Sequence, residues 1–149
     1  MDIIFDVDGT LLNIEHRVPL IRPINGHKKD WKAFREAAVN DEPNSEIVAI
    51  AIAMNYMGHR LIVCTGRMEK ERHVTKNSLM LAGIPLYKTP IYMRPNDDVR
   101  PDHVIKLELL AKIREDGFKP ELVFDDRQQV VDMWRKQGLR VCQVAEGDF

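Results

Sequence analysis

Short apolar runs alternate along the chain with longer stretches that are apolar on one side only. Five runs rich in Val, Ile and Leu are typical of buried parallel strands, and they cover residues 3–7, 61–64, 91–93, 122–124 and 141–144. Between them, apolar residues recur at helical spacing at 46–57, 69–81, 103–114 and 128–136. A glycine lies just past the end of each of these stretches, where a left-handed residue ends a helix. The alternation therefore predicts repeated βαβ units.

Repeated βαβ units fold into an α/β structure of three layers, in which helices cover both faces of a central parallel sheet. We therefore expect five parallel strands with right-handed connections. The stretch at about 13–44 interrupts the alternation, because it is rich in Lys and Arg, has three prolines, and shows a helical pattern only at about 30–39. We predict that 1–149 is a single domain and that 13–44 is a small cap insertion after strand one, folding over the top of the sheet.

Composition narrows the class of protein. The chain has 149 residues, 22 Lys and Arg against 23 Asp and Glu, and a formal net charge of −1. A chain of this length can bury a core that needs no disulfide, and its near-neutral charge argues against coating nucleic acid or an anionic membrane by bulk electrostatics. No signal peptide or membrane-spanning run is recognisable, so a cytoplasmic location is expected. Cys64 and Cys142 lie in apolar runs and are predicted to be buried, reduced thiols.

Acidic residues cluster where the predicted strands end. Asp6 and Asp8 lie at the end of the first predicted strand, and Asp125 and Asp126 follow the fourth. Lys106 lies near the start of the helix after the third strand. The carboxyl ends of parallel strands meet at one edge of a sheet, where ligands bind. Clustered carboxylates repel one another unless a cation lies among them, and oxygen ligands without a zinc-like His or Cys group favour Mg²⁺.

Each of these pieces also has an ordinary structural explanation. An Asp-x-Asp pair occurs in loops by chance, and the acids at 125–126 could cap the helix that follows them. The sequence Thr65-Gly66-Arg67 is short enough to occur without a function. The joint placement of all these residues at strand ends in βαβ order favours the functional interpretation.

The residues at the strand ends resemble a known set of motifs. FDVDGTLL at 5–12, VCTGR at 63–67, Lys106 and FDDR at 124–127 are similar to the four motifs of the haloacid dehalogenase superfamily of phosphohydrolases. A closer resemblance is to the 3′-phosphatase domain of bacteriophage polynucleotide kinase-phosphatases. That resemblance rests on the spacing of Asp6 to Arg17, the spacing of Arg94 to Lys106, and the tail from 124 to 149. The insertion at 13–44 is longer and differently composed than in that domain.

The resemblance has further implications for the chain as a whole. The phage enzymes also carry a kinase domain with a GxxxxGK(S/T) phosphate loop, and this sequence contains no such motif. No 5′-kinase activity is therefore predicted. The likeness extends through the last residues, so the tail is expected to dock on the domain. A phage or its bacterial host is the source that the resemblance implies, and a phage protein would lie in the host cytoplasm.

The resemblance also implies a mechanism. Asp6 would be the nucleophile that attacks phosphorus to form an aspartyl-phosphate. Asp8 would be the general acid toward the leaving 3′ oxygen and then the general base toward water. Mg²⁺ would be held by Asp6, by the backbone carbonyl of Asp8, and by Asp125 or Asp126. Which of these last two touches the metal directly is open at this point.

Neighbouring groups would hold the phosphate. Thr65 and the backbone of Gly66 after it would bind phosphate oxygens, while Lys106 would pair with Asp6 and the transferring group. Three arginines match positions that contribute to phosphate or substrate binding in the phage enzymes, although a solvated surface position is the commoner fate of an arginine. These are Arg17, Arg67 and Arg94.

The remaining candidates have mainly structural interpretations. Arg127 could bridge to a neighbouring acid within the fold. Trp31, Phe34 and Trp134 are expected to pack in the core or the cap, and stacking of nucleobases on an exposed Trp31 is the weaker alternative. The basic residues of the insertion could attract a polyanion to the mouth of the site, or could form the solvated face of a cap helix.

These residues together favour one functional hypothesis over two others. The favoured hypothesis is a Mg²⁺-dependent polynucleotide 3′-phosphatase that acts in repair on DNA or RNA ends, with 2′,3′-cyclic phosphates as a further substrate and a separate kinase or ligase as a partner. A phosphatase for nucleotides or sugar phosphates is the alternative, although the insertion is short for a lid that encloses a metabolite. A silent phosphate-binding module is disfavoured, because binding alone does not need both Asp6 and Asp8.

Overall fold

The computed structural model of the chain describes residues 1–22 and 26–147. In chain order the strands are β1 (Asp2–Phe5), β2 (Leu12–Asn13), β3 (Glu42–Pro43), β4 (Arg60–Met68), β5 (Ile91–Arg94), β6 (Pro120–Arg127) and β7 (Arg140–Gly147). The α-helices are α1 (Trp31–Glu36), α2 (Ser45–Tyr56), α3 (Arg72–Ala82), α4 (Asp102–Glu115) and α5 (Gln128–Lys136). Short 3-10 helices cover Val18–Leu20, Ala37–Asn40 and Glu69–Glu71.

The central sheet has five parallel strands in the spatial order β5-β4-β1-β6-β7. The chain leaves β1 for β4 and β5 on one side, then returns past β1 to β6 and β7 on the other. Strand order therefore reverses beside β1, and in an open α/β sheet such a reversal creates a crevice at the carboxyl ends of the strands. The predicted α/β fold with a five-stranded parallel sheet is confirmed.

Alternation along each strand builds two cores, one on each face of the sheet. In β1, Ile3 and Phe5 belong to the core shared with α2 and α3, while Ile4 belongs to the core shared with α4 and α5. Phe5 stacks on Phe124 of β6 with ring centroids 4.7 Å apart and planes at 3°. A strand buried on both faces needs apolar residues at every position, which explains the continuous apolar runs in the sequence.

The strands differ from their predicted bounds near the acidic residues. β1 ends at Phe5, two residues before the predicted end, whereas β4 and β6 continue through the polar residues at 65–68 and 125–127. The pairing register shifts between Thr65 and Met68 and between Asp125 and Arg127. Hydrophobic patterning stops at the first polar residue, but irregular pairing carries the strand further. The predicted helix at 69–81 begins as a 3-10 turn, and α3 starts at Arg72.

The insertion is closed at its base by a small antiparallel sheet. Leu12 of β2 pairs with Pro43 of β3, and the Asn44 amide nitrogen donates to the Leu11 carbonyl oxygen at 2.9 Å. Its own apolar cluster contains Ile14, Ile21 and Phe34. The predicted helix at 30–39 is divided into α1 and a 3-10 turn.

Three further predictions concern the two cysteines, the tail of the chain and membrane-spanning helices. Cys64 is buried as predicted, but the prediction for Cys142 is wrong: it is exposed, because β7 lies at the edge of the sheet and part of its surface faces solvent. The tail pairs with β6 as far as Gly147, opposite Arg127, while residues 148–149 lie outside the described part of the chain. Within that described part, no helix combines the length and apolar character needed to cross a bilayer.

Candidate active site

Three buried carboxylates converge at the carboxyl edge of the sheet. Asp6 directly follows β1, and Asp125 and Asp126 lie near the end of β6. One oxygen atom from each carboxylate lies within 4.8 Å of the others, a spacing that could hold a metal ion. The central strands β1 and β6 are neighbours in the sheet, so their ends bring together residues about 120 positions apart in sequence.

Lys106 bridges two of these acids. Its Nζ atom donates to Asp6 Oδ1 at 2.7 Å and to Asp125 Oδ2 at 2.9 Å, and the residue is only 1% exposed. The indole Nε1 of Trp134 also donates to Asp125 Oδ2, at 3.0 Å, while the backbone nitrogen of Arg127 donates to Asp125 Oδ1. Both oxygen atoms of Asp125 are therefore occupied by protein donors.

The electrostatics of the cluster favour a bound cation. Burial raises the pKa of Asp6, Lys106 lowers it, and Asp125 and Asp126 raise it again, so that it lies well above its usual range. Burial and the Asp125 carboxylate raise the pKa of Asp126 to about 7. Burial opposes the charge on Lys106, but Asp125 and Asp6 outweigh it and raise the lysine pKa. The lysine alone is not enough to keep all three acids ionised.

The chemistry of the donors fits a hard divalent cation. With all three carboxylates and Lys106 ionised, the cluster carries a formal charge of −2. Oxygen-only ligands suit Mg²⁺ or Ca²⁺ rather than zinc. Among the described residues, no donor from another residue reaches the Asp126 carboxylate, so its oxygen atoms are available to a metal. The carboxylate of Asp8 is not part of this cluster.

Two buried arginines hold Asp8 instead. Arg17 Nη2 donates to Asp8 Oδ1 at 2.8 Å, and Arg67 donates to the same oxygen through Nη2 at 2.7 Å and Nε at 2.9 Å. The Asp8 side chain keeps 21% of its surface exposed. Burial would raise the pKa of Asp8, but Arg67 and Arg17 outweigh burial and lower it. All three are predicted site residues, but the prediction for both arginines is a contact with the substrate.

Asp41, which the sequence analysis missed, completes this network. Its fully buried carboxylate accepts from Arg17 Nη2 at 2.7 Å and from Arg67 Nη2 at 2.6 Å, and it also contacts His16 Nε2 at 2.7 Å. Asp41 lies 24 positions from Arg17 and 26 from Arg67, so no local spacing pointed to it. It balances one of the two arginine charges that face Asp8.

Arg94 binds groups of the protein itself. Its guanidinium donates to the carbonyl oxygens of Gly66, Asp98 and Arg100 at 2.6 to 2.9 Å, and to Asp102 Oδ1 at 2.7 Å. These contacts tie the end of β4 to the loop before α4, and the predicted substrate contact of Arg94 stays a prediction. A Cβ atom on Gly66 would collide with the Asp102 carboxylate, so glycine permits this close approach.

Asp102 is a second site residue that the sequence analysis missed. It opens α4, pairs with Arg94, and lies 3.3 Å from Arg127 Nη1, which confirms the predicted bridge from Arg127 to an acid. It lies four positions before Lys106, one helical turn away on the same face. That spacing is the signal that could have identified it.

Two glycines lie close against the Asp126 carboxylate. Gly9 has a φ of +80°, and a Cβ atom at Gly9 or at Gly147 would collide with the Asp126 carboxylate. Gly9 therefore serves the turn after β1 and leaves room for Asp126.

Most of the predicted site residues line one cavity of about 400 Å³, whereas Arg17 and Asp125 lie outside its lining. Its walls include Asp6, Asp8, Thr65 and Lys106, together with residues of α1 and of the loop before α4. Thr65 Oγ1 accepts from the backbone nitrogen of Arg67 at 3.2 Å, which orients the hydroxyl. The fold therefore brings eight of the ten predicted site residues to a single cavity.

Residues 1–149 match the family model of the polynucleotide kinase PNKP phosphatase domain. The chain belongs to this family. Its fold is that of the haloacid dehalogenase superfamily, as a haloacid dehalogenase-like hydrolase from Streptococcus pneumoniae illustrates at a TM-score of 0.64 and 12% identity, covering 94% of this chain and 82% of that one. The family resemblance deduced from the motifs is confirmed.

Two solved complexes contain chains that are similar to this one. A chain of the Pnkp1/Rnl/Hen1 complex is 30% identical, with a TM-score of 0.80, and covers 99% of this chain and 47% of that one. A chain of the Pnkp1/Rnl/Hen1 RNA repair complex is 29% identical, with a TM-score of 0.77, and covers 99% of this chain and 43% of that one. This family member thus spans less than half the length of either.

The acidic cluster predicts a pH-dependent stabilisation by metal. The pKa of Asp126 is about 7 in the folded protein, whereas the ordinary value of 3.8 applies to the unfolded chain. As pH rises, the unfolded chain therefore loses this proton at a lower pH than the folded protein does. The melting temperature of metal-free protein should therefore fall between about pH 4 and pH 7, and Mg²⁺ should raise it more at about pH 8 than at about pH 5. Scanning fluorimetry checks this. Asp126→Asn should reduce the difference, because only the raised pKa of Asp6 then contributes to it, and Asp132→Asn on the exposed side of α5 should keep it in full. An equal Mg²⁺ effect at both pH values would contradict the prediction.

The buried network predicts that Asp41 is required for stability. Asp41→Asn leaves two buried guanidinium groups with one shared carboxylate fewer, so the free energy of unfolding should fall by about 3 kcal/mol in urea titration. Glu36→Gln is the matched control in the same insertion, because Glu36 and Lys32 form an exposed pair at 3.8 Å. That control should cost less than about 1 kcal/mol. Equal losses in the two variants would count against the network.

Proposed function

We propose that this chain is a Mg²⁺-dependent polynucleotide 3′-phosphatase that removes 3′-terminal phosphates from DNA or RNA ends during repair. The observation that carries the proposal is Asp6, held at 2.7 Å by buried Lys106 beside two further carboxylates, with Asp8 on the wall of the same cavity. Residues 1–149 act as one phosphatase domain with 13–44 as its cap. A terminal 2′,3′-cyclic phosphate is a further substrate of the same site.

The first step transfers the phosphoryl group to Asp6. A carboxylate oxygen of Asp6 attacks phosphorus, the bond from phosphorus to the 3′ oxygen breaks, and the leaving oxygen takes a proton from Asp8. Lys106 stays charged because of its two carboxylate partners and stabilises the charge on the transferring group. The products of this step are a 3′-hydroxyl end and an aspartyl-phosphate.

The second step releases inorganic phosphate. The Asp8 carboxylate, now without its proton, accepts a proton from water while the water oxygen attacks phosphorus. The bond from phosphorus to Asp6 breaks, which restores the carboxylate, and Asp8 is protonated again for the next turnover. Two carboxylates only two residues apart can serve these roles because their surroundings differ: Asp6 contacts Lys106, and Asp8 contacts Arg17 and Arg67.

The metal would lie among Asp6, Asp125, Asp126 and the backbone carbonyl of Asp8. Asp126 is the stronger candidate for direct contact of the β6 pair, because Asp125 already accepts from Lys106, Trp134 and a backbone nitrogen. When bound, Mg²⁺ supplies positive charge that offsets the repulsion between a carboxylate and the phosphate dianion. The ion pair between Lys106 and Asp125 keeps the Asp125 carboxylate in place.

Phosphate binding would also prepare Asp8 for its role. In the substrate-free protein Arg67 and Arg17 lower the pKa of Asp8, which favours the ionised form. A phosphate dianion beside Thr65 and the Gly66 backbone adds negative charge nearby and draws on the same arginines, so the Asp8 pKa rises. The acid would then gain its proton when the substrate is bound.

A polynucleotide end fits the surroundings better than a small metabolite. The cavity opens beside the insertion, whose residues Lys28, Lys29 and Lys32 are exposed. Net charge near zero with basic residues at the mouth suits a protein that holds one phosphorylated end. The similar chains come from assemblies described as Pnkp1/Rnl/Hen1, one of them an RNA repair complex, and we extend to this chain both RNA ends and a separate repair partner.

Activity assays test the proposal directly. With Mg²⁺, the protein should release phosphate from oligonucleotides with a 3′-terminal phosphate and leave a 5′-terminal phosphate intact. Asp6→Asn should reduce the rate by about 10⁴-fold or more, because it removes the nucleophile. Asp132→Asn, on the exposed side of α5, is the matched control and should retain full activity. DNA and RNA ends, including a 2′,3′-cyclic RNA end, belong in the same assay.

Other outcomes identify the alternatives. Release from free mononucleotides or sugar phosphates alone would replace the polynucleotide substrate with a small metabolite. No release from any substrate in the presence of Mg²⁺ would favour a module that binds phosphate without reaction.

The proton donor is tested by changing the leaving group. Asp8→Asn should slow the first turnover of a 3′-phosphate oligonucleotide by about 10²- to 10⁴-fold, because the 3′ oxygen leaves only with a proton. The same variant should still give a burst of one p-nitrophenol per protein from p-nitrophenyl phosphate, whose leaving group needs no proton. Rapid-mixing absorbance measures that burst. Equal losses on both substrates would show that Asp8 does not act as the acid.

A further inference from the structure

The cavity extends beyond the acids to a mouth that no catalytic step uses. Its volume of about 400 Å³ lies in the range of roughly 300 to 1,000 Å³ that accommodates a whole small ligand. Trp31 of α1 and Val99 of the loop before α4 both line it, and both are exposed, at 43% and 87%. The mouth therefore presents apolar surface from two separate segments beside a phosphate site.

The indole ring of Trp31 is held in a defined orientation. The Asp30 carboxylate accepts from the backbone nitrogen of Ala33 at 2.9 Å and fixes the start of α1, where Trp31 is the first residue. The ring packs edge-on against buried Phe34, with centroids 5.7 Å apart and planes at 85°. An exposed tryptophan with a supported ring offers a flat apolar surface at little entropic cost.

A chain of contacts links this ring to the proposed proton donor. The Arg17 guanidinium lies 4.1 Å from the centroid of Phe34, and Arg17 Nη2 donates to Asp8 Oδ1 at 2.8 Å. Trp31, Phe34, Arg17 and Asp8 therefore form a continuous series. The position of the ring is set relative to the atoms that would handle the 3′ oxygen.

The second segment that lines the mouth is also held in place. Arg94 binds the carbonyl oxygens of Asp98 and Arg100, which flank Val99, at 2.9 and 2.6 Å. The exposed valine is therefore carried by a fixed loop. Its position gives the cavity a second apolar contact in addition to Trp31.

One cation lies beside the ring, and another lines the cavity. Lys29 Nζ lies 5.6 Å from the centroid of Trp31, and Arg35 lines the same cavity. Proteins that bind single strands combine aromatic platforms for the bases with basic side chains along the backbone. An apolar ring with cations beside it and a phosphate site in the same cavity matches the chemistry of a nucleotide.

We propose that Trp31 stacks on the terminal nucleobase of the strand whose 3′-phosphate enters the site. Val99 contacts the base from the other segment, and Lys29 pairs with the next phosphate along the strand. The inference rests on the proposed function, because it assigns a nucleobase to the same cavity. It predicts that the site recognises an end with a base, without preference for which base it is, since every base has a flat face.

Paired substrates test the stacking. One oligonucleotide ends in an ordinary nucleotide 3′-phosphate, and the other ends in an abasic deoxyribose 3′-phosphate. Stacking is worth about 1 to 3 kcal/mol, so Trp31→Ala should raise KM for the first end by about 5- to 150-fold and leave kcat and the abasic end nearly unchanged. Trp31→Phe should retain most of the affinity. Tyr87→Ala, which removes an aromatic ring of 86% exposure outside the cavity, is the control.

A binding measurement separates this proposal from the proposed function. The chain has two tryptophans, and Trp134 is fully buried, so a product-like oligonucleotide with a 3′-hydroxyl end should quench the fluorescence of Trp31. Trp31→Phe should abolish that quenching and isolate the signal of Trp134. Quenching without phosphatase activity would support the stacking and refute the proposed reaction. An unchanged KM in Trp31→Ala together with an absence of quenching would overturn the stacking. The exposed ring would then be a candidate contact for a protein partner. Equal losses on base-bearing and abasic ends would also overturn it.

Discussion

Lys106 is the residue on which the site depends. Its buried ammonium lies between Asp6 and Asp125, and it is 100 positions from the first and 19 from the second. Burying a charge is tolerated only when partners replace its water, and removing one partner of such a pair typically costs about 3 to 5 kcal/mol. The buried lysine and its two carboxylates therefore stabilise one another in their charged forms. The third carboxylate, Asp126, exceeds what one ammonium can balance, and this excess is what makes the cluster suited to a divalent cation.

A second buried network joins the insertion to the sheet. Arg17 comes from the insertion and Arg67 from β4, yet both bind the carboxylates of Asp8 and Asp41. Two buried guanidinium groups facing two carboxylates leave little net charge in the network. The arrangement sets the position of Asp8 and the position of the cap together. Because Phe34 of α1 contacts Arg17 and Arg17 binds Asp8, a displacement of α1 would also displace the Asp8 carboxylate.

The acids of the site could be predicted because their position depends on a general property of parallel sheets. Residues 6, 125 and 126 follow apolar runs, and the ends of such runs meet at one edge whatever the details of packing. Lys106 could be predicted from its helix and the family motifs. Asp41 could not, because it follows a 3-10 turn in an insertion whose path has no repeating pattern. Asp102 had a usable signal in its spacing from Lys106, whereas the contacts of Arg94 had none. The exposure of Cys142 depends on β7 being an edge strand, and an apolar run looks the same at an edge as in the centre.

The sequence by itself determined the period of each element, the α/β class, and the identity of the groups that gather at the strand ends. These properties follow from residue spacing and from the fixed geometry of strands and helices. Only the tertiary structure decided which carboxylate each arginine binds, which oxygen atoms of Asp125 are occupied, and where Trp31 lies relative to the acids. Hydrogen bonds and buried ion pairs act over a few ångströms between residues that are as many as 100 positions apart, so they depend on how the crossovers and the insertion pack rather than on any local pattern.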